Sequence, residues 1–95
     1  MARYKLSNDA KNDLARIYWR GASEFGEAQA ELYFEKLMQA LNKIAEFPFH
    51  YPAVNHIREG YRRGVCGNES IYFRITNEDV EIMRLLQSQN LEDNL

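Results

Sequence analysis

The chain has 95 residues and a mass of 11.2 kDa, which is enough for one small domain, residues 1–95. Hydrophobic residues make up 45% of it and aromatic residues 13%, a composition that supports a packed core and excludes a disordered or fibrous chain. Its 12 basic and 14 acidic residues give a net charge of −2, which excludes a nucleic-acid binder that relies on bulk positive charge.

Neither export nor a membrane is indicated. The one cysteine cannot form an internal disulfide. No apolar run approaches the roughly 18 residues of a membrane span, and the first residues lead directly into a predicted strand without the apolar stretch of a signal peptide. We therefore expect a cytoplasmic protein that contacts no membrane, with a flexible polar tail at 88–95.

The first half of the chain predicts a strand and two amphipathic helices. Residues 2–6 alternate apolar and polar side chains, as a half-buried strand does, and Ser7 then stands where a helix N-cap is expected. Apolar side chains next recur every three or four positions, until Gly21 or Gly26 weakens or ends the first helix. The second helix is predicted at about 27–46. Their short link predicts a helical hairpin.

The second half of the chain predicts three short strands, at 61–65, 70–76 and 80–86, separated by turn residues. Residues 48–60 show little periodicity and are interpreted as a loop with a turn at Pro52. We expect the first strand to join the other three. The fold predicted is therefore α+β, with the helical hairpin packed on one face of a three- to four-stranded antiparallel β-sheet.

The sequence shows no motif that assembles a catalytic or metal centre. It lacks a glycine-rich phosphate loop, and His50 and His56 lie six positions apart without a convincing third ligand. Cys66 has no recognisable activating base and is interpreted as a small half-buried residue. We therefore expect no catalytic residue, no bound metal and no cofactor.

One segment has a local excess of positive charge. Between positions 58 and 74 two glutamates, Glu59 and Glu69, accompany four arginines, Arg58, Arg62, Arg63 and Arg74. The planar guanidinium donates two hydrogen bonds at once to a carboxylate or a phosphate, so these arginines could bind an anion. The alternative is a set of solvated strand residues. Tyr61 could likewise stack on a base or simply fill a strand.

Two aromatic residues of the helices have two interpretations each. Trp19 lies next to the apolar stripe of the first helix, and Tyr33 flanks the stripe of the second. Both residue types are enriched where proteins bind partners, so either could anchor one. Packing at the edge of the core is the simpler interpretation, and the one we favour for Trp19.

Five segments resemble one known family in their order and spacing. They lie at 10–17, 47–48, 57–62, 67–73 and 80–86, and so extend over nearly the whole chain. Together they are similar to the ParE-type toxins of bacterial toxin–antitoxin systems, within the RelE/ParE superfamily. The resemblance implies the fold already predicted, a helical hairpin on an antiparallel sheet.

The resemblance also implies a function and two partners. ParE-like members bind DNA gyrase and trap its cleaved-DNA complex without catalysing a reaction. A ParD-type antitoxin silences them; it is a ribbon-helix-helix protein whose C-terminal segment wraps the toxin, so that operator DNA is contacted only through the antitoxin. The candidate contact residues are Trp19, Tyr33, Arg58, Glu59, Tyr61, Arg62, Arg63, Arg74 and Arg84.

Two other hypotheses follow from the same superfamily. RelE-like members cleave mRNA on the ribosome. Their pattern has an arginine at the position of Ser70, and basic and tyrosine side chains after the last strand, where residues 87–95 of this chain have none. On this hypothesis Arg62 and Arg63 would hold the phosphate. At the position of Leu86-Gln87, many sequences that look ParE-like have leucine followed by histidine. A non-toxic relic that still binds the antitoxin is therefore the third hypothesis.

Overall fold

The computed structural model describes residues 3–77 and 79–87. Its elements in chain order are β1 (Tyr4–Leu6), α1 (Asn8–Phe25), α2 (Glu27–Glu46), one turn of 3-10 helix (Pro48–His50), β2 (Tyr61–Cys66), β3 (Glu69–Thr76) and β4 (Asp79–Gln87). The four strands form one sheet in the order β1-β4-β3-β2. The α+β fold is thus confirmed. Within the described part of the chain, no helix combines the length and the apolar character that crossing a membrane requires.

The helical hairpin forms around two glycines with different tasks. Ser7 caps α1 as predicted, since its hydroxyl accepts a hydrogen bond from the Ala10 amide at 2.9 Å. Gly26, with φ +90°, is the single residue between α1 and α2. Gly21 lies inside α1, where a Cβ atom would stand 3.5 Å from the Cβ of Ala30. Gly26 therefore ends the helix, whereas Gly21 lets the two helices approach closely.

The main core lies between the two helices and one face of the sheet. Its buried members are Ala10, Leu14 and Ile17 of α1, Leu37, Leu41 and Ile44 of α2, and Ile71, Phe73, Val80, Ile82 and Leu85 of the sheet. The helix members recur at the three- and four-residue spacing that the sequence shows, and Ile71 and Phe73 are two positions apart, as residues on one face of a strand must be. Burial of this apolar surface is the main force that holds the hairpin on the sheet.

The direction of β1 differs from the antiparallel arrangement that the sequence predicted. β1 runs parallel to β4, with Tyr4 beside Val80 and Leu6 beside Ile82, so the sheet is mixed. Alternation of side chains predicts a strand but not its direction. β1 continues directly into α1 and not into a tight turn, and such a helical crossover is the connection that a parallel pair needs.

The opposite face of the sheet is covered by the chain that precedes β2. Val54 packs there with Tyr61, Tyr72 and Leu86 in a second cluster, and its amide donates a 2.8 Å hydrogen bond to the carbonyl of Tyr61. Because of this cover the side chain of Tyr72 is fully buried. The segment predicted as a loop at 48–60 therefore includes a 3-10 turn and closes a small second core.

Candidate functional site

A cavity of about 390 Å³ opens where the second half of α1, the first half of α2 and the end of the sheet meet. Arg20 and Glu24 of α1 line it from one side, and Tyr33 of α2 from another. Glu69 and Gln87 line it from the sheet. Two carboxylates and one guanidinium therefore surround a partly enclosed space.

Glu69 is the unusual residue of this cavity. It begins β3 two positions before Ile71, on the face that carries the core, and its side chain is only 3% exposed. No donor among residues 3–77 and 79–87 forms a hydrogen bond to its Oε2 atom. Burial raises the pKa of the Glu69 carboxyl, and the positive charges of Arg20 and Arg16 oppose that rise without cancelling it.

The other polar groups around the cavity are already engaged. The guanidinium of Arg20 lies 2.8 and 3.0 Å from the amide end of Gln87, which accepts both hydrogen bonds through its oxygen. The hydroxyl of Tyr33 donates to the carbonyl of Cys66 at 3.4 Å and accepts from the Asn68 amide at 3.2 Å. These contacts fix the cavity walls, and none of the described residues donates a hydrogen bond to Oε2 of Glu69.

Beyond the end of β1, polar side chains of Ser7 and α1 form the hydrogen bonds to the backbone of β4 that a neighbouring strand would otherwise form. The hydroxyl of Ser7 donates to the carbonyl of Met83 at 2.8 Å, and the carboxylate of Asp13 accepts from the amide of Leu85 at 2.9 Å. Arg16 donates to the carbonyl of Leu85 at 3.2 Å. Side chains thus take the place of a neighbouring strand, which leaves this edge of β4 covered.

Asp13 is the centre of these polar side chains. Its carboxylate receives hydrogen bonds from Nε of Arg84 at 2.8 Å and from Nη2 of Arg16 at 3.0 Å, besides the Leu85 amide. Burial alone would raise the pKa of Asp13, but these hydrogen bonds together outweigh it and lower the pKa below its usual value. Asp13 is therefore a buried anion with donors on every side.

The structure separates the arginine pair that an RNA-cleaving site would use. Neighbouring residues of a strand point to opposite faces of the sheet, and Arg62 and Arg63 are neighbours in β2. Arg62 donates a 2.6 Å hydrogen bond to the carbonyl of Tyr51 and lies over the ring of Phe49 at 5.2 Å. Ser70, at the position of the expected arginine, is fully buried. These side chains do not converge on one phosphate position.

The remaining predicted residues of the sheet have different environments. Arg84 binds Asp13, and Arg74 pairs with Glu81 at 2.7 Å. The guanidinium of Arg58 lies 5.7 Å from the ring centre of Tyr61, which is only 7% exposed and so does not present its ring to a nucleobase. The Glu59 side chain is exposed. Within the arginine-rich segment Arg58, Glu59 and Arg74 are exposed, and Arg63 is half-buried.

The expectation that Trp19 packs in the core is wrong. Its side chain is 67% exposed, with its ring edge-on to Tyr18 at 5.3 Å. Trp19 follows the buried Ile17 by two positions, which places it about 200° around the helix from the core. Phe25 and Leu32 of the hairpin are also more than half exposed. The hairpin therefore carries large apolar side chains that the described part of the chain leaves exposed.

Comparison with known proteins identifies the family. A family model described as the ParE toxin of the type II toxin–antitoxin system parDE matches residues 4–91. The chain belongs to the ParE toxin family. Toxin ParE1 of Caulobacter vibrioides is 35% identical over 96 residues, covering 100% of this chain and 99% of the relative. Toxin ParE1 of Mycobacterium tuberculosis is 32% identical over 96 residues, covering 99% and 98%.

Solved structures agree with this ParE assignment at the level of the fold. A chain of the chromosomal ParDE toxin–antitoxin system from P. aeruginosa superposes with a TM-score of 0.80 at 18% identity, over 92% of this chain and 96% of that one. A YafQ variant from E. coli gives a TM-score of 0.53 at 14% identity, over 96% and 98%. These structures share the fold, and it is the family match over residues 4–91 that makes this chain a toxin of a type II toxin–antitoxin system.

No metal centre is assembled in the described ranges, 3–77 and 79–87, where no three His, Cys, Asp or Glu side chains converge. Sequence reasoning missed Glu69 and Asp13, which are the two buried carboxylates among the described residues. The signal for Glu69 was available: it precedes Ile71 and Phe73 at a spacing of two, which places it on the core face of the strand. Asp13 gave no such signal, because its partners in β4 lie far away in the sequence.

Proposed function

We propose that this ParE-family toxin inhibits DNA gyrase by binding it and trapping its cleaved-DNA complex, and that a ParD-type antitoxin neutralises it. Family membership over residues 4–91 is the observation that carries the proposal. The placement of the basic residues supports it, because Arg62, Arg74 and Arg84 are each engaged within the fold. Such a toxin acts through surface contacts, and its target places it in the cytoplasm.

The antitoxin is proposed to cover the apolar side chains of the hairpin. Trp19, Phe25 and Leu32 are exposed, and removing each large apolar side chain from water contributes about 1.5–3 kcal/mol. A segment that folds on binding suits such a surface, since it covers a large area for its length. The antitoxin would then also protect a toxin that has apolar surface exposed to solvent.

The gyrase contact is proposed to include Arg58, Glu59 and Arg63. These residues precede and begin β2, at the side of the sheet opposite the helices, and Glu59 is exposed. Arginine is frequent among the residues that dominate protein interfaces, since it combines a long apolar stem with a charged fork. On this proposal antitoxin and gyrase use different surfaces of the toxin.

A supercoiling assay with purified DNA gyrase tests the proposed target. Excess toxin should stop supercoiling and accumulate linear DNA, and prior addition of a cognate ParD-type antitoxin should prevent both. Arg63→Ala should weaken the inhibition, whereas Lys43→Ala, which changes an exposed charge on α2, should leave it unchanged. Unimpaired supercoiling with no linear DNA would contradict the proposal.

Expression in cells separates the two other hypotheses from this one. A gyrase poison should cause filamentation and an SOS response when expressed without antitoxin. Immediate arrest of translation with codon-specific cuts in mRNA would favour the RelE-like hypothesis instead. Normal growth of cells that accumulate the folded protein would favour the non-toxic relic.

A further inference from the structure

The cavity between the hairpin and the sheet contains a buried carboxyl group, that of Glu69, whose Oε2 atom receives no hydrogen bond from the described residues. Glu69 is 3% exposed. Arg20 is close enough to influence it but is committed to Gln87 by two hydrogen bonds. A buried carboxylate is normally paired, because leaving it unpaired costs the desolvation energy of the charge.

The residues that line the cavity indicate the chemical class of ligand that it would bind. Its charged lining is Arg20, Glu24 and Glu69, which leaves a net negative charge. The rings of Phe25 and Tyr33 and the side chain of Ile17 also line it and can contact an apolar stem. A cavity of about 390 Å³ accommodates a long side chain with a cationic end.

The cation must come from another molecule. The residues outside the described ranges, 1–2, 78 and 88–95, include no lysine and no arginine. We infer that the cavity is a receptor for a single lysine or arginine side chain of the antitoxin, whose cationic end pairs with Glu69. The inference rests on the proposed antitoxin partnership and adds the residue that the partner must supply. Glu69 thereby becomes a specificity-determining residue, because an antitoxin with a neutral side chain there would leave the carboxylate buried and unpaired.

Small cations test the receptor without any antitoxin. Butylguanidinium chloride and butylammonium chloride reproduce the ends of arginine and lysine, and butyramide is a neutral molecule of similar size. Added to the free toxin, the two cations should shift the NMR signals of Asn68, Gly21 and the Gln87 side-chain amide, which line the cavity. Shifts of equal size with butyramide would show an apolar pocket without charge selectivity and would overturn the inference.

Three variants identify the carboxylate responsible. Glu69→Gln should weaken butylguanidinium binding about tenfold, since it removes a charged hydrogen-bond acceptor. Glu35→Gln removes the same charge from an exposed position of α2 and should leave binding unchanged. Arg20→Gln removes the competing positive charge and should strengthen binding about threefold. The last variant keeps the test decisive even if Glu69→Gln does not fold: unchanged or weaker binding would contradict the inference.

Complexes with the antitoxin separate this inference from the proposed function. In the ParD-type partner, replacement of one lysine or arginine by methionine should weaken the wild-type complex about tenfold or more. The same replacement should have little effect on the complex with Glu69→Gln, because the two changes remove one interaction. An antitoxin that binds both toxins equally well overturns the receptor and leaves the proposed function intact. A toxin that binds the small cations but no ParD-type antitoxin would contradict the proposed partnership, and with it the antitoxin as the source of the cation, while the cation selectivity of the cavity would stand.

Discussion

Asp13 and Arg84 form a two-point contact: Nε of Arg84 lies 2.8 Å from Oδ2 of Asp13, and Nη2 lies 3.1 Å from Oδ1. The pair joins α1 to β4 beside the amide of Leu85, which also donates to Asp13. Asp13 is only 4% exposed. Paired charges with this geometry fix the orientation of a helix on a sheet, because a shifted helix would leave a buried carboxylate without donors.

Removal of that carboxylate charge should be strongly destabilising. We expect Asp13→Asn to lower the free energy of unfolding by about 3 kcal/mol, since it removes the buried anion of the ion pair with Arg84. Glu81→Gln breaks the exposed pair with Arg74 and should cost about 0.5 kcal/mol. Urea denaturation followed by circular dichroism measures both values. Equal losses in the two variants would show that Asp13 contributes no more than a surface charge.

Asp13 should also determine how the protein responds to acid. Because the pKa of Asp13 is lowered in the folded state, its contribution to stability is complete above the ordinary aspartate pKa. That contribution is lost as the pH falls through the lower value of the folded protein. Stability curves at several acidic pH values should therefore fall more steeply for the wild type than for Asp13→Asn. Parallel curves would remove the role assigned to this carboxylate.

Glu69 should act in the opposite direction. Burial raises the pKa of Glu69 in the folded state, so the folded protein holds this proton more tightly than the unfolded chain does. Stability should therefore decrease as the pH rises above the ordinary glutamate pKa. Glu69→Gln should abolish that part of the pH dependence, whereas Glu35→Gln, at an exposed position, should preserve it. An identical pH dependence in all three proteins would contradict the assignment.

Two glycines allow steric and backbone effects to be measured separately. A Cβ atom on Gly67, at φ +58°, would stand 2.7 Å from the ring and hydroxyl of Tyr33, whereas Gly60, at φ +83°, has open space. Gly60→Ala should therefore cost about 1–2 kcal/mol for backbone strain alone. Gly67→Ala should cost about 1–3 kcal/mol more, because Tyr33 must move. Thermal and urea unfolding provide both values. Equal losses of unfolding free energy in the two variants would show that Tyr33 moves aside without an energetic penalty.

Trp19 should matter for binding and not for folding. Because its side chain is 67% exposed, Trp19→Ala should change the free energy of unfolding by less than about 0.5 kcal/mol. The same change should weaken antitoxin binding by about 2 kcal/mol, the size expected of an interface tryptophan. Isothermal titration calorimetry measures the affinity. A matched control is Lys11→Ala, also exposed on α1, which should alter neither property.

Local signals predicted most of the fold. The bounds of α2 agree with the sequence because Gly26 precedes it and Pro48 follows it. The three later strands were placed to within one residue at each end, since turn residues separate them. The parallel direction of β1 was not predictable in this way. It depends on pairing between Tyr4 and Val80, for which no local pattern exists.

The candidate site was harder to predict, for a physical reason. Trp19 adjoins the apolar stripe, which predicts a place in the core, but a helix offers only one face to the sheet. Asp13 lies off the apolar stripe of α1, and its burial depends on a contact with Leu85, 72 positions away. Glu69 was counted as one of two negative charges among arginines, although its spacing from Ile71 predicts an inward side chain. The sequence shows which residues are charged, whereas the burial and the partners of each charge depend on the tertiary structure.

The pairing of the first strand with the last described strand also sets the order in which the toxin can be assembled. Ser7 and Met83, joined by a hydrogen bond, are 76 positions apart, so β1 has no partner until β4 has been synthesised. The hairpin of α1 and α2 can form earlier, but the sheet that covers its apolar side comes from the later part of the chain. A ribosome that has made only the helices therefore carries an unfinished protein. The toxin becomes competent only after β4 has been made, which gives an antitoxin made beforehand the first opportunity to meet it.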